Sequence, residues 1–321
     1  MQSIWTMGEI LVEIMRPRQD MPLHEAGEFL GPFASGAPAI FIDTVARMGR
    51  PAGIIGGVGD DPFGRCVLDR LAADGVDCSQ VLRVPGRATA VAFVTYSGDG
   101  SRQFIFHIDD TPAVMAGPAS PDAVPDPGCF HVMGCSLMAN DSFRESVLRT
   151  MVSFHKRGAK ISFDPNIRSE LLRDKELVEV VGPVLERCSV LLPGTGELTL
   201  LTGESCVGRG VQRLFEAWPV EIVAVKRGRK GCTVCTRSEA IDIPAYRVVE
   251  VDPTGAGDCF DAAFLCGLLE GRSLAACGQM ASAAGALNAA AFGPMEGQIS
   301  RDAVEQLMRQ GELRPKVRGG E

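Results

Sequence analysis

Histidine, tryptophan and tyrosine are scarce in this chain: four, two and two among 321 residues. His24, His107, His131 and His155 stand far apart and no H-E-x-x-H string occurs, which argues against a zinc hydrolase. No run of Lys or Arg exists, and 32 basic against 40 acidic side chains leave a formal charge of −8. Such a surface does not attract nucleic acid or anionic lipid, so neither is expected as a partner. There is no G-x-x-x-x-G-K-[ST], which excludes a P-loop kinase, and no G-x-G-x-x-G after the first strand, which excludes a dinucleotide-dependent dehydrogenase. Met1 to Ile10 has no basic residue and no long apolar stretch, so no signal peptide is read there. Ser273 to Met295 is long and uncharged but built of Ala, Gly, Ser, Gln and Asn, which fits a packed helix rather than a membrane span.

Cysteine is plentiful, at 11, but the count is odd and no export signal precedes it. Free, mostly buried thiols in a reducing cytoplasm are expected. Cys232 and Cys235 form one C-x-x-C, without the second pair that a structural zinc site would use, and their alternating surroundings read as a strand. With 45% hydrophobic and 22% charged residues, disorder of the whole chain is excluded.

Short apolar runs alternate with helical patterns. Ile54–Gly57, Cys129–Met133, Ala159–Phe163, Val190–Leu192 and Ile222–Val225 read as buried strands. Ser142–Lys156, Glu176–Glu186 and Val211–Trp218 read as helices. The alternation predicts an α/β fold, a mainly parallel central sheet flanked by helices, with ligands beyond the carboxyl ends of its strands. Thr89–Tyr96 and Arg102–Ile108 flank the turn Ser97 to Ser101 and predict a small β-hairpin lid, to which Glu9–Met15 could add. Without a linker or repeat, one domain over 1–321 is expected, with lid inserts at roughly 9–35 and 86–112. Pro118 to Pro127 reads as a surface crossing, and the polar tail beyond Pro315 as loose.

Asp252-Pro253-Thr254-Gly255-Ala256-Gly257-Asp258 carries the strongest chemical signal. Val248–Val251 before it reads as a strand, and Cys259–Leu269 after it as a helix. A glycine-rich turn at a helix start presents free N–H groups at the positive end of the helix dipole, an anion site. Asp258 would repel an anion there, unless its carboxylate takes a proton from an attacking hydroxyl while the N–H groups hold a phosphoryl.

That string resembles the signature of the ribokinase-like (phosphofructokinase B type) carbohydrate kinases. Further strings match in order: Gly8-Glu9 with Glu13, Ser35-Gly36-Ala37-Pro38-Ala39, Gly57 to Gly64, Phe163 to Arg168, Val225 to Gly228 with Gly231, and Gly293 to Gly297. The resemblance implies transfer of the γ-phosphoryl of ATP to a sugar hydroxyl, with magnesium on the triphosphate and potassium as a further cation. It places Asp258 on the catalytic base and Gly255, Ala256 and Gly257 on the anion hole. Glu13, Gly36, Ala37 and Arg168, with Asp258, fall on the sugar side. Lys226, Gly228, Thr254, Gly255, Gly257 and Asn288 fall on the nucleotide side, with Gly293–Gly297 closing that region. Glu197 and Asp252 fall at cation positions.

Alternatives accompany several of these. Glu197 also reads as a helix N-terminal carboxylate, Asp164, Asn166 and Arg168 also read as a strand-end turn, and Lys226 as a solvated base. Phe104, Phe106 and His107 read more readily as lid packing than as sugar contacts. Ile40 and Gly194 stand where many relatives carry Asn. The strings look like those of ketohexose and 2-keto-3-deoxygluconate kinases, and S-G-A-P-A-I-F-I-D with G-P-M-E-G like those of tagatose kinases. A ketohexose kinase is expected, with a sugar-binding regulator on the same fold as the competing reading. Intact Asp258 and G-A-G weigh against the regulator. An apolar outer face on the lid would allow a homodimer.

Overall fold

The computed structural model describes residues 1–98, 102–119, 122, 124, 127–168 and 176–314. Its strands are β1 (Ser3–Met7), β2 (Leu11–Met15), β3 (Leu30–Ser35), β4 (Ala52–Gly59), β5 (Asp77–Val84), β6 (Ala90–Tyr96), β7 (Arg102–His107), β8 (Pro127–Met133), β9 (Lys160–Asp164), β10 (Val190–Leu191), β11 (Ile222–Lys226), β12 (Cys232–Cys235) and β13 (Ala240–Ile243). Its helices are α1 (Ala37–Arg47), α2 (Pro62–Ala73), α3 (Gly134–Met138), α4 (Asp141–Lys156), α5 (Leu177–Leu185), α6 (Thr195–Thr202), α7 (Val207–Ala217), α8 (Ala256–Leu269), α9 (Leu274–Ala289) and α10 (Arg301–Gln310).

Nine strands form the main sheet in the order β13-β12-β11-β10-β9-β8-β1-β4-β5. From β11 to β5 the neighbours run parallel, and β12 and β13 close one edge as antiparallel strands. Every residue of β1 and β8 is buried, because helices cover both faces. Alternate side chains feed two apolar layers. Ile4, Ile54 and Ala224 join α1, α8 and α9 on one face, whereas Trp5, Phe130 and Val223 join α4, α5 and α7 on the other.

A separate four-stranded sheet, in the order β3-β2-β6-β7, holds the expected hairpin. Strands β6 and β7 pair antiparallel from Val91–His107 to Tyr96–Arg102, and β2 joins β6 in parallel. Asp61 connects the two sheets. It caps α2 by accepting from Gly64 N at 2.8 Å, and accepts from Thr89 N and Oγ1 at 2.7 Å, just before β6. Of the hairpin turn, Asp99, Gly100 and Ser101 lie outside the described residues, as do much of the Pro118–Pro127 crossing and the tail from 315 onward.

One expected strand does not form. Val248–Val251 is irregular, with Val249 84% and Val251 54% exposed. The main sheet ends at β13, so this run has no strand neighbour; Val251 N instead donates to Ala289 O at the end of α9. The C-x-x-C thiols are buried at the two ends of β12. Among the described residues no helix is long and apolar enough to cross a membrane.

Candidate active site

The parallel strands release their chains at one end of the sheet, and the candidate residues gather there. Glu9 follows β1, Cys135 follows β8, Asp164 ends β9 with Asn166 and Arg168 beyond it, and Lys226 ends β11. Among the cavities of the described residues, two open against these side chains.

The first, of about 50 Å³, is lined by Glu9, Glu13, Gly36, Ala37, Arg168, Thr254, Gly255 and Asp258, and by Leu11, Ile40, Arg102, Phe104, Phe106, Ile108 and Cys135. Its walls come from β2 and β7 of the small sheet, the start of α1 and the start of α8. Gly36 stands at the N-cap of α1 with φ +105, and a Cβ there would lie 2.5 Å from Glu9 O, so the approach of these two segments requires glycine. Arg102, Phe104 and Phe106 share one face of β7 by strand alternation, and the two rings stack 5.1 Å apart. His107 points to the opposite face, edge-on to Phe93.

Acidic groups in this cavity are held away from water. Ser35 Oγ donates to Glu13 Oε1 at 2.6 Å, while Glu13 Oε2 is buried without a partner. Burial, with Asp252 nearby, pushes the Glu13 carboxyl up to about 7 against the pull of Ser35. Glu9 Oε2 accepts from Ser136 Oγ at 2.6 Å.

The second cavity, of about 280 Å³, lies on the far side of the same turn. Lys226, Gly228, Gly231, Ala256 and Gly257 line it, with Tyr246, Phe260, Ala286 and Ala289 as apolar wall and Arg229 and Arg314 as basic groups. The two cavities therefore meet at Gly255–Asp258, where α8 begins. Gly255 is the N-cap, with φ +76 and a virtual Cβ only 2.5 Å from Pro294 O. No side chain caps α8 and Ala256 N donates to Pro253 O at 3.2 Å, so the N–H groups of Gly255 and Gly257 are those that remain for a ligand. Asp258, in the first turn of α8, is 7% exposed. Burial, then the Asp164 charge, raise its carboxyl to about 7, with Lys226, Arg168 and Arg102 pulling the other way. Asn166 Nδ2 donates to Asp258 Oδ1 at 3.2 Å.

Several expected residues have other engagements. Lys226 lines the second cavity, but its ammonium donates to Asp164 Oδ2 at 2.7 Å and to Asp261 at 3.0 and 3.2 Å, so it is not a solvated base. Burial disfavours that ammonium, yet Asp164 and Asp261 outweigh it and hold its pKa up. Asn288 is fully buried and lines neither cavity; its Nδ2 donates to Thr254 O at 2.6 Å. Glu197 accepts from Gly194 N at 2.6 Å and Ile167 N at 3.0 Å, one bond per oxygen, as the N-terminal carboxylate of α6. Asp252 accepts from Tyr96 Oη at 2.5 Å, Thr254 N and Oγ1, and Gly293 N at 2.9 Å. Every oxygen of the two carboxylates accepts at least one bond, yet both Glu197 oxygens and Asp252 Oδ2 keep a lone pair, and among the described residues no group of three His, Cys, Asp or Glu could hold a metal. The Gly293–Gly297 segment lines neither cavity; Met295 O and Gly297 O accept from Arg47, and Met295 O also from Arg70.

Glu9, Arg102, Leu11, Ile108 and Cys135 in the first cavity, and Tyr246, Arg229, Arg314 and Ser282 in the second, were not singled out from sequence. Arg102 was within reach, since it shares the two-residue alternation of Phe104 and Phe106. The others needed the fold.

A carboxylate at a helix N-terminus between two cavities on a doubly covered parallel sheet is the layout of a phosphotransferase. The chain belongs to the pfkB family of carbohydrate kinases, whose family model matches residues 1–300. It is similar to fructokinase-1 of Oryza sativa subsp. japonica, 30% identical over 317 residues that cover 96% of this chain and 98% of that one. It is also similar to an E. coli protein described as a ribokinase II, solved with ATP and Mg2+, with 39% identity, a TM-score of 0.89 and coverage of 96% and 99%. A fructokinase of Vibrio cholerae O395, solved with fructose, ADP and calcium, superposes with a TM-score of 0.82 at 25% identity, covering 96% and 99%.

Proposed function

We propose that this carbohydrate kinase transfers the γ-phosphoryl of ATP to a primary hydroxyl of a ketohexose, fructose or tagatose. The carrying observation is the meeting of both cavities at Gly255–Asp258. In this reading the sugar occupies the first cavity, against Glu13, Gly36, Ala37 and Arg168. The nucleotide occupies the second, along Gly228 and Gly257, its base against Tyr246 and Phe260, whereas Thr254, expected on the nucleotide side, lines the first. Asp258, with a carboxyl near neutrality, takes the hydroxyl proton as the oxygen attacks. The N–H groups of Gly255 and Gly257 hold the transferred phosphoryl in a site shielded from water, and that of Ala256 joins them when it leaves Pro253 O. Relatives named fructokinase support the ketohexose, and the G-P-M-E-G and S-G-A-P-A-I strings support tagatose.

Magnesium offsets triphosphate charge in such transfers. Glu197, with one backbone bond on each oxygen, keeps lone pairs through which it would hold that metal or a water on it, whereas Asp252 Oδ1 already accepts three bonds. The metal would arrive on the nucleotide. Asp252 Oδ2, which accepts from Gly293 N, would be the oxygen with a lone pair left for a potassium ion. Arg102 and Arg168 in the first cavity favour a second reading, 2-keto-3-deoxygluconate, whose carboxylate they could pair.

The test is an ADP-release assay with magnesium-ATP against tagatose, fructose, 2-keto-3-deoxygluconate, ribose and adenosine. Turnover on a ketohexose, falling at least about a hundredfold in Asp258→Asn, is expected. Near-unchanged turnover in that variant would remove Asp258 as base, and preference for the sugar acid would install the second reading.

A further inference from the structure

We propose that Asn166 is a positioning residue for Asp258, held in place by a buried ring that runs through Asp164, Lys226 and Asp261. The inference rests on reading Asp258 as the base.

The ring spans three elements. Asp258 and Asp261 lie three residues apart on α8 and so face the same way. Lys226 Nζ, at the end of β11, bridges Asp261 to Asp164 at the end of β9. Asp164 Oδ1 accepts from the backbone N of Asn166 at 3.1 Å, and Asp164 Oδ2 lies 3.5 Å from its Nδ2. Asn166 Nδ2 then reaches Asp258 Oδ1 and closes the ring.

Asn166 is 7% exposed and adopts φ +36, a left-handed backbone that asparagine tolerates better than most residues. The Asp164 bond to its N–H sets the turn that aims the amide. A flipped amide would place its oxygen against the Asp258 carboxylate, so the donor must face it. Asn166 Oδ1 is buried and has no partner, so what anchors this side chain is its donor end. With one carboxylate oxygen held, the other is left for the substrate proton.

Among the described residues, the charged and titratable groups around Asp258 include Asp164 on β9, Lys226 on β11, Arg168 beyond β9, Arg102 on β7, Cys135 on α3, and Cys259 and Asp261 on its own helix, with Glu9 after β1 and Glu13 on β2 lining the same cavity. Within this set, the Asn166 amide donates to the ionised form of Asp258 and therefore favours it. Removing the donor must raise the pKa of Asp258 and move the acid limb of activity to higher pH.

Asn166→Gly removes the amide while keeping the left-handed backbone accessible. It is expected to shift the acid limb of kcat/KM upward by about one pH unit, roughly a tenfold loss on the acid side, with KM for ATP within about twofold. Asn166→Asp sets a second carboxylate beside Asp258 and is expected to shift the limb further. The 13C titration of the Asp258 carboxyl in ligand-free enzyme, assigned against Asp258→Asn, should move in the same order. A variant that loses activity with limb and titration both unmoved would overturn the proposal. Should the base reading itself fail in the turnover assay, the carboxyl titration still decides whether Asn166 governs Asp258.

Discussion

Lys226 follows a buried strand, a place where a basic residue in a nucleotide enzyme invites assignment to phosphate. Its ammonium is instead enclosed by Asp164 and Asp261, which are 3% and 0% exposed. Two carboxylates and one ammonium buried together are held by mutual attraction, and removing one partner leaves an uncompensated charge. Lys226→Met is therefore expected to destabilise the fold by about 3–5 kcal/mol, read as a lower urea midpoint. An unfolding free energy within about 1 kcal/mol of the parent would show that the pair is not what holds these strand ends. Glu197 is the converse case: its helix N-terminal reading matches its two backbone bonds.

At the scale of elements, the start of α8 is what both cavities share, and the start of α1 faces the first. The first turn of α8 is local, so its glycine pattern was readable in the sequence. Gly255→Ala would meet both a left-handed φ and Pro294 O. A loss of more than about 1 kcal/mol in stability and a drop in kcat with the sugar are expected; parental thermal stability and kcat would refute the steric account. Helix α1 holds a different feature. Asp43 is 1% exposed, with Arg47 and Arg70 at 3.6 and 3.7 Å and neither oxygen hydrogen-bonded. Burial, reinforced by Asp74, pushes its carboxyl up to about 8. An acid with a higher pKa folded than unfolded binds more protons when folded, so its contribution to stability falls as pH rises from about 4 toward 8. Glu13 and Asp258 act with the same sign. Asp43→Asn should make the decline shallower in denaturant melts between about pH 5 and pH 8, and an unaltered slope would exclude Asp43 as a source.

At the scale of the molecule, the two sheets are joined through Asp61 and Thr89, which lie 28 residues apart in sequence. Gly57 to Gly64 thus serves the fold by ending β4, capping α2 and fastening the entry to β6. Asp61→Ala should cost about 1–2 kcal/mol for the lost cap and raise KM for the sugar more than KM for ATP, because the small sheet walls the first cavity alone. Equal change in both constants would separate the sheet from sugar binding. The strand–helix alternation, the hairpin and the Gly255–Asp258 turn were all legible, since periodicity and turn chemistry are properties of contiguous residues. The run Val248–Val251 misled for the same reason: its β-branched composition says nothing about whether a neighbouring strand is there to pair with.

The sequence by itself determined the α/β class, the helix start that carries Asp258 and the family of the chain, because each depends on residues adjacent along the backbone. Only the tertiary structure decided that Lys226 meets Asp164 from 62 residues away and Asp261 from 35, that Asn166 reaches Asp258, and which hydrogen-bond donors meet Glu197 and Asp252. Those outcomes follow from which strands lie side by side and how far each carboxylate is removed from water, and no local pattern encodes either.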